Sequence, residues 1–435
     1  MAAITVFCKQ DSPRFQYALN WTLKNVLHIS YELTDDESEV EALPFFISYG
    51  KVFDNALSIP DAGLLWEKGI NKQDIAFGEW KSLPTLFHRE DKGTTLPFDL
   101  FSAVFFLISR YEEYYPYTPD KHGRYSPTES ILYKQGWLQQ PLADEWLYQL
   151  YLLLKEKNIP AQLLPFQYKP TYDIDMAYSY KHKGLRRNIG GFIKDFLKGN
   201  FKAVKERREV LLSKRLDPFD AFVWMKQLHS SAQLTPVYFI LSALKTTEYD
   251  KNISPENEAM QKLVKRLSKE GKIGLHPSYY STQREVFEKE KSVLEHLLDT
   301  PILHSRQHYI KLNLPDTYRQ LIAAQIQHDY SMGYGNALGF RAGTGRSFLW
   351  YDLKEEKATA LRIHPFCFMD STALFEKKLT AESAFAQLHE MKDRLQKASS
   401  MMMTVFHNFS LGSMEQWKGW KEEYERFVQE VSSAE

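Results

Sequence analysis

The chain has 435 residues, enough for two domains, and 43% of them are hydrophobic and 14% aromatic, which provides for sizeable buried cores. Its 55 basic and 55 acidic residues balance, so no global charge directs it to nucleic acid or to a membrane surface. Its two cysteines, Cys8 and Cys367, lie far apart without metal-type spacing, which fits a reducing compartment and excludes a disulfide framework.

Residues 1–9 hold no basic leader followed by a long apolar run, so no secretory signal is expected and a cytoplasmic location is. Residues 4–7 predict a short strand. Residues 12–26 predict a helix, with Ser12 as N-cap and Pro13 in its first turn. A strand is expected at 43–49, and helices at 98–111 and 144–156. Residues 98–108 are the most apolar stretch, but they are too short to span a bilayer and run into Arg110, Glu112 and Glu113. A buried helix is the reading. The loop 114–137 is rich in aromatics and carries Asp120, His122, Gly123 and Arg124; it suits interdomain packing better than stacking on sugar rings.

Pro160, Pro165 and Pro170 break the helical pattern near residues 157–169, which places a domain boundary there. Residues 1–165 are then a smaller α+β domain and 166–435 a second one. In the second, strands at 170–174, 236–241, 273–275, 302–305, 360–364 and 402–406 alternate with amphipathic helices such as 257–269 and 283–298. That alternation predicts a parallel α/β architecture, a barrel or an open sheet. No internal repeat or low-complexity tract interrupts it.

Such folds place their chemistry at the C-terminal ends of strands. The rule selects Asp173 and Asp175, His276, Arg306 with His308, and His407. Two carboxylates in Thr171-Tyr172-Asp173-Ile174-Asp175 repel unless a cation or shared proton intervenes; a divalent metal resolves this, and an exposed turn is the plain alternative. Gly274-Leu275-His276-Pro277 suggests a strand stopping abruptly with its imidazole at the rim. Asp with His is a common ligand mix for zinc and similar metals. In Ser305-Arg306-Gln307-His308-Tyr309, Arg306 is placed to pair with a free carboxylate and His308 to complete a three-ligand site. His304 is the alternative, because in an extended segment both histidines share a side with Arg306. Gly339-Phe340-Arg341-Ala342-Gly343-Thr344-Gly345 lacks the Lys-Ser/Thr of a phosphate loop; it is an anion- or sugar-binding loop or a structural turn. His407 closes the last strand, as a proton donor or a plain rim residue.

Together these motifs, with Phe406-His407-Asn408, resemble the polysaccharide deacetylase superfamily (carbohydrate esterase family four), in a divergent bacterial branch, over about residues 168–430. The region before them resembles an uncharacterised domain fused ahead of such domains in Bacteroidetes-type bacteria. The resemblance implies a distorted (β/α)-barrel of about seven strands and a divalent metal, usually zinc. It implies Asp173 as catalytic base, Asp175 and His276 as metal ligands, Arg306 as the residue orienting the base, and His407 as general acid, with Asp370 as a candidate partner. The chain departs from the family pattern at two points. Ile174 separates the two aspartates, leaving open which is base and which ligand. Tyr280 stands where a second histidine is usual, so the third ligand falls to His308 or, failing it, His304.

The expected activity is hydrolysis of an N-acetyl group on a sugar of a surface polysaccharide or glycolipid precursor. Two other readings compete: hydrolysis of another non-peptide C–N bond, and a non-catalytic glycan-binding protein on the same fold. Residues 181–215 add 12 basic and 3 acidic residues, net +9, around an apolar helical stripe. This is a solvated helix face, or a surface that meets a membrane and a lipid-linked glycan.

Overall fold

The computed structural model describes residues 3–433; Met1 and Ala2, which head the N-terminal run, and the last two residues lie outside them. The first region carries a four-stranded parallel sheet of β1 (Ile4–Phe7), β2 (Tyr31–Thr34), β3 (Phe46–Tyr49) and β4 (Ala56–Ile59), in the order β2-β1-β3-β4. Ser12 caps the helix Pro13–Leu19 by accepting from the Phe15 amide, and the helix continues as a π-helical stretch, Asn20–Val26, to the end expected. An antiparallel hairpin follows, β5 (Phe77–Trp80) and β6 (Leu83–Leu86). The apolar run forms the fully buried helix Leu100–Ile108, capped by Asp99, and stops earlier than expected because Arg110 turns left-handed.

The second sheet has nine strands: β7 (Gln167–Ile174), β8 (Val237–Leu241), β9 (Lys272–His276), β10 (His304–Ser305), β11 (His328–Asp329), β12 (Phe348–Asp352), β13 (Lys357–Ile363), β14 (Phe368–Met369) and β15 (Met401–His407). Their order is β12-β13-β11-β10-β9-β8-β7-β15-β14, and every neighbouring pair is parallel except β12 with β13. Helices such as Phe222–Ser231, Glu258–Leu267, Arg284–Leu298 and Ala381–Lys397 separate the strands, so the fold is mixed α/β with parallel pairing, as the alternation predicts. Val237, Phe239, Tyr330, Phe366, Met403 and Val405 form a separate apolar cluster on one face of this sheet. Gly274 is required there: a Cβ would lie 2.5 Å from the Phe239 ring.

The two regions share a continuous apolar core that runs from Ile4 to Val431. Polar contacts join them too. Tyr17 donates to the Leu349 carbonyl at 2.5 Å and Trp21 to that of Ser347 at 3.1 Å. In the Gly-rich loop Arg341 faces inward and grips Glu113 through two hydrogen bonds of 2.8 and 2.6 Å, so this loop is a structural turn rather than an anion site. Asp144 likewise accepts from Thr344 and the Gly345 amide. Cys8 and Cys367 are free and buried, and no helix among the described residues is long and apolar enough to cross a membrane.

Candidate active site

Strand register brings the site together. Asp173 on β7 pairs with His407 on β15 and with Phe239 on β8, and β8 ends level with His276, the last residue of β9. Alternate residues of a strand share a face, so Thr171 and Asp173 point the same way. Arg306 follows β10 directly and remains tied to β9 through the Leu275 carbonyl.

Arg306 is wholly buried and all of its donor groups that reach this face are spoken for: Nη1 donates to Asp173 Oδ1 at 2.8 Å, Nη2 to Thr171 Oγ1 at 2.7 Å and Nε to the Tyr330 carbonyl at 2.9 Å. The Phe239 ring lies 4.3 Å beneath the guanidinium. This clamp fixes one Asp173 oxygen and leaves Oδ2 facing His276 Nε2 at 3.7 Å.

Asp175, His276 and His308 have ligand atoms within 4.8 Å of one another. His276 Nδ1 is engaged by the Arg306 carbonyl at 2.6 Å, and His308 Nδ1 by Asp250 Oδ1 at 3.0 Å. Each bond directs Nε2 to Asp175, at 3.2 Å from Oδ1 and 3.7 Å from Oδ2 respectively. Yet Asp175 Oδ1 is buried and makes no hydrogen bond, since its contact with His276 is not aligned for one. Three groups aimed at a common point, with outer partners that fix the imidazole tautomers, are what a tetrahedral metal site needs. The electrostatics agree. Burial opposes ionisation of Asp175, but the His308 and His276 imidazoles outweigh it and hold its carboxyl well below the usual carboxylate range. Burial also pushes His308 down, and Asp175 and Asp250 overcome this and raise it to about 9, so the cluster draws positive charge. The donor set therefore fits a divalent cation.

On the other side of the cleft His407 Nε2 lies 3.6 Å from Asp175 Oδ2. Its Nδ1 contacts Asp370 Oδ1 at 2.6 Å, and Asp370 Oδ2 accepts from the His407 amide at 2.7 Å. Burial lowers the affinity of His407 for a proton, but Asp370 outweighs it and lifts the imidazole to about 9. Asn408 donates to the carbonyls of Met176, Ala177 and Phe219 and so pins the chain that leaves β7.

The structure thus brings Asp173, Asp175, His276, His308 and His407 to one cleft of about 350 Å³, with Arg306 buried behind Asp173. It does not bring His304: that ring stacks on His328 at 4.6 Å and hydrogen-bonds Tyr330. Tyr280 is half-exposed, packed against Tyr249 and Tyr279. Asp250 lies in a loop, where no strand-end rule selects it. The first region also reaches the cleft, with Lys121, His122 and Arg124 lining it. His122 Nδ1 meets the Tyr279 hydroxyl at 3.0 Å, and Arg124 donates to the Tyr309 carbonyl at 2.5 Å. The aromatic loop therefore both packs between the regions and walls the site.

A model for a family of unknown function, DUF7033, matches residues 4–159. No curated protein matches the chain. Among solved structures it is similar to an allantoinase at 11% identity, over 62% of this chain and 84% of that one, with a TM-score of 0.38. A protein described as a probable polysaccharide deacetylase from Pseudomonas aeruginosa PAO1 gives 14%, 62%, 85% and 0.38. A polysaccharide deacetylase from Bacillus cereus gives 11%, 61%, 88% and 0.29. At these identities and TM-scores the likeness assigns no activity, and the functional reading rests on the site itself.

Proposed function

We propose that the chain is a metal-dependent hydrolase that removes an N-acetyl group from a sugar, in the manner of the polysaccharide deacetylases its motifs resemble. The observation that carries this is the convergence of Asp175, His276 and His308 between an Arg-clamped carboxylate and an Asp-paired histidine. A divalent cation held there, zinc by the ligand chemistry, supplies Lewis acidity toward a carbonyl oxygen and water. Asp173 Oδ2, left free by the Arg306 clamp, accepts the proton of the attacking water. His407 Nε2 donates a proton to the departing amine, with Asp370 holding Nδ1 and the ring's orientation. Lys121, His122 and the tyrosines at the cleft wall contact the sugar.

The same reading takes the nine-stranded sheet as a distorted barrel within residues 166–435, preceded by an α+β domain over 1–165. It places the enzyme in the cytoplasm, acting on a surface-polysaccharide or glycolipid precursor that is carried on lipid. The test is acetate release from N-acetylated amino-sugar oligosaccharides by zinc-loaded protein. Turnover that falls by ~10²–10⁴-fold in Asp173→Asn supports the reading; no release from any N-acetylated sugar, with the metal bound, contradicts it.

A further inference from the structure

Between β7 and β8 the helices Gly184–Leu197 and Phe201–Leu211 pack as a hairpin, yet of their residues only Asn188 and Val210 are buried. A helix kept for folding turns its apolar stripe inward. Here Leu185 is 77% exposed, Leu197 79% and Phe201 63%, with Ile193 and Phe196 more than half-exposed. Their spacing, from 185 through 189, 192 and 193 to 196, puts them on one face. The Phe192 and Phe196 rings lie parallel at 6.4 Å and Phe196 meets Phe201 edge-on at 5.8 Å, so the patch crosses from one helix to the next.

The charge around this patch is one-sided. All three acidic residues of 181–215 pair inside the segment: Asp195 with Arg207 at 2.7 Å, Glu206 with Arg215 at 2.9 Å and Glu209 with Lys205 at 3.9 Å. Among the described residues Arg186, Lys194, Lys198, Arg208 and Lys214 have no carboxylate partner. An apolar helical face rimmed by unpaired Lys and Arg matches the interface of an anionic bilayer, where the rings enter the acyl boundary and the cations reach headgroups. A second copy of the chain is a poorer occupant, because two such rims repel. The hairpin also stands beside the cleft: Arg187 donates to the carbonyls of Lys251 and Asn252, and Lys251 lines the cleft.

We infer that the hairpin of residues 184–211 is a membrane-docking element that seats this protein on anionic lipid, next to its cleft. The inference goes beyond the hydrolase reading and does not depend on it. The test is co-sedimentation of the full chain with vesicles of phosphatidylcholine alone or mixed with phosphatidylglycerol. Wild type is expected to bind the anionic vesicles roughly tenfold or more tightly and to release at high salt. Leu197→Ser with Phe201→Ser, and separately Lys194→Glu with Lys198→Glu, should each weaken binding about tenfold, with circular dichroism unchanged. Asp175→Ala should bind as wild type, which separates this result from any failure of the hydrolase reading. Three outcomes overturn the inference: wild type that stays in the supernatant, variants that bind as wild type, or a dimer in the ultracentrifuge that the apolar variant breaks.

Discussion

Asp173 and Asp175 sit two residues apart and have opposite surroundings. A guanidinium clamps the first, and three imidazoles gather round the second. Asp173→Asn should therefore keep its metal and lower kcat by ~10²–10⁴-fold, the usual worth of a general base; single-turnover acetate release with parallel metal analysis checks this. The sequence shows these two residues and His276 because each sits at the C-terminal end of an expected strand, where such folds place their chemistry. It does not separate His308 from His304, because the chain stays extended only to Gln307 and then enters a short helical turn, His308–Ile310, in which His308 meets Asp250. His304→Ala is accordingly expected to bind metal as wild type does, whereas His308→Ala should lose it. Equal retention in both variants would remove His308 from the ligand set.

At the scale of elements, the long strands β7, β8, β9 and β15 are legible from their apolar runs. The two-residue strands β11 and β14 owe their form to neighbours in the sheet and leave little local pattern, whereas β10 falls within the strand expected at 302–305. The helix Phe222–Ser231 covers β7 through His229, whose Nε2 lies 2.6 Å from the Tyr172 hydroxyl. Burial pushes this imidazole down to about 4. In the unfolded chain it titrates near its ordinary value, so between those two points the unfolded state holds more protons. Its stabilising effect is therefore complete above about pH 6.5 and lost as pH falls toward 4, up to about 3 kcal/mol. Urea unfolding at the two ends of this range should show His229→Gln losing less stability on acidification than wild type; equal losses would refute the assignment.

Across the whole molecule, the prolines near residue 160 mark where one region hands over to the next, but nothing local reveals how tightly the two are joined. Arg341 belongs to a Gly-rich loop that reads as a binding motif, and its partner Glu113 is far away in sequence. Glu113 sits buried between Arg110 and Arg341. Glu113→Gln leaves the buried Arg341 without its carboxylate partner, while Arg110 keeps Glu112, and should cost about 3–5 kcal/mol, read from the shift of a single cooperative denaturation. Residues 166–435 expressed alone, with the shared core opened, should not yield a folded monomer. If that fragment folds with its metal, the first region is an attachment and not part of the site's frame.

Metal binding by Asp175, His276 and His308 is open to elemental analysis of the purified full chain after incubation with zinc. Wild type should hold about one ion per chain, and Asp175→Ala, His276→Ala and His308→Ala should lose it with the fold kept. Wild-type protein that takes up no zinc, cobalt or manganese would contradict the metal site and leave a glycan-binding protein as the better description.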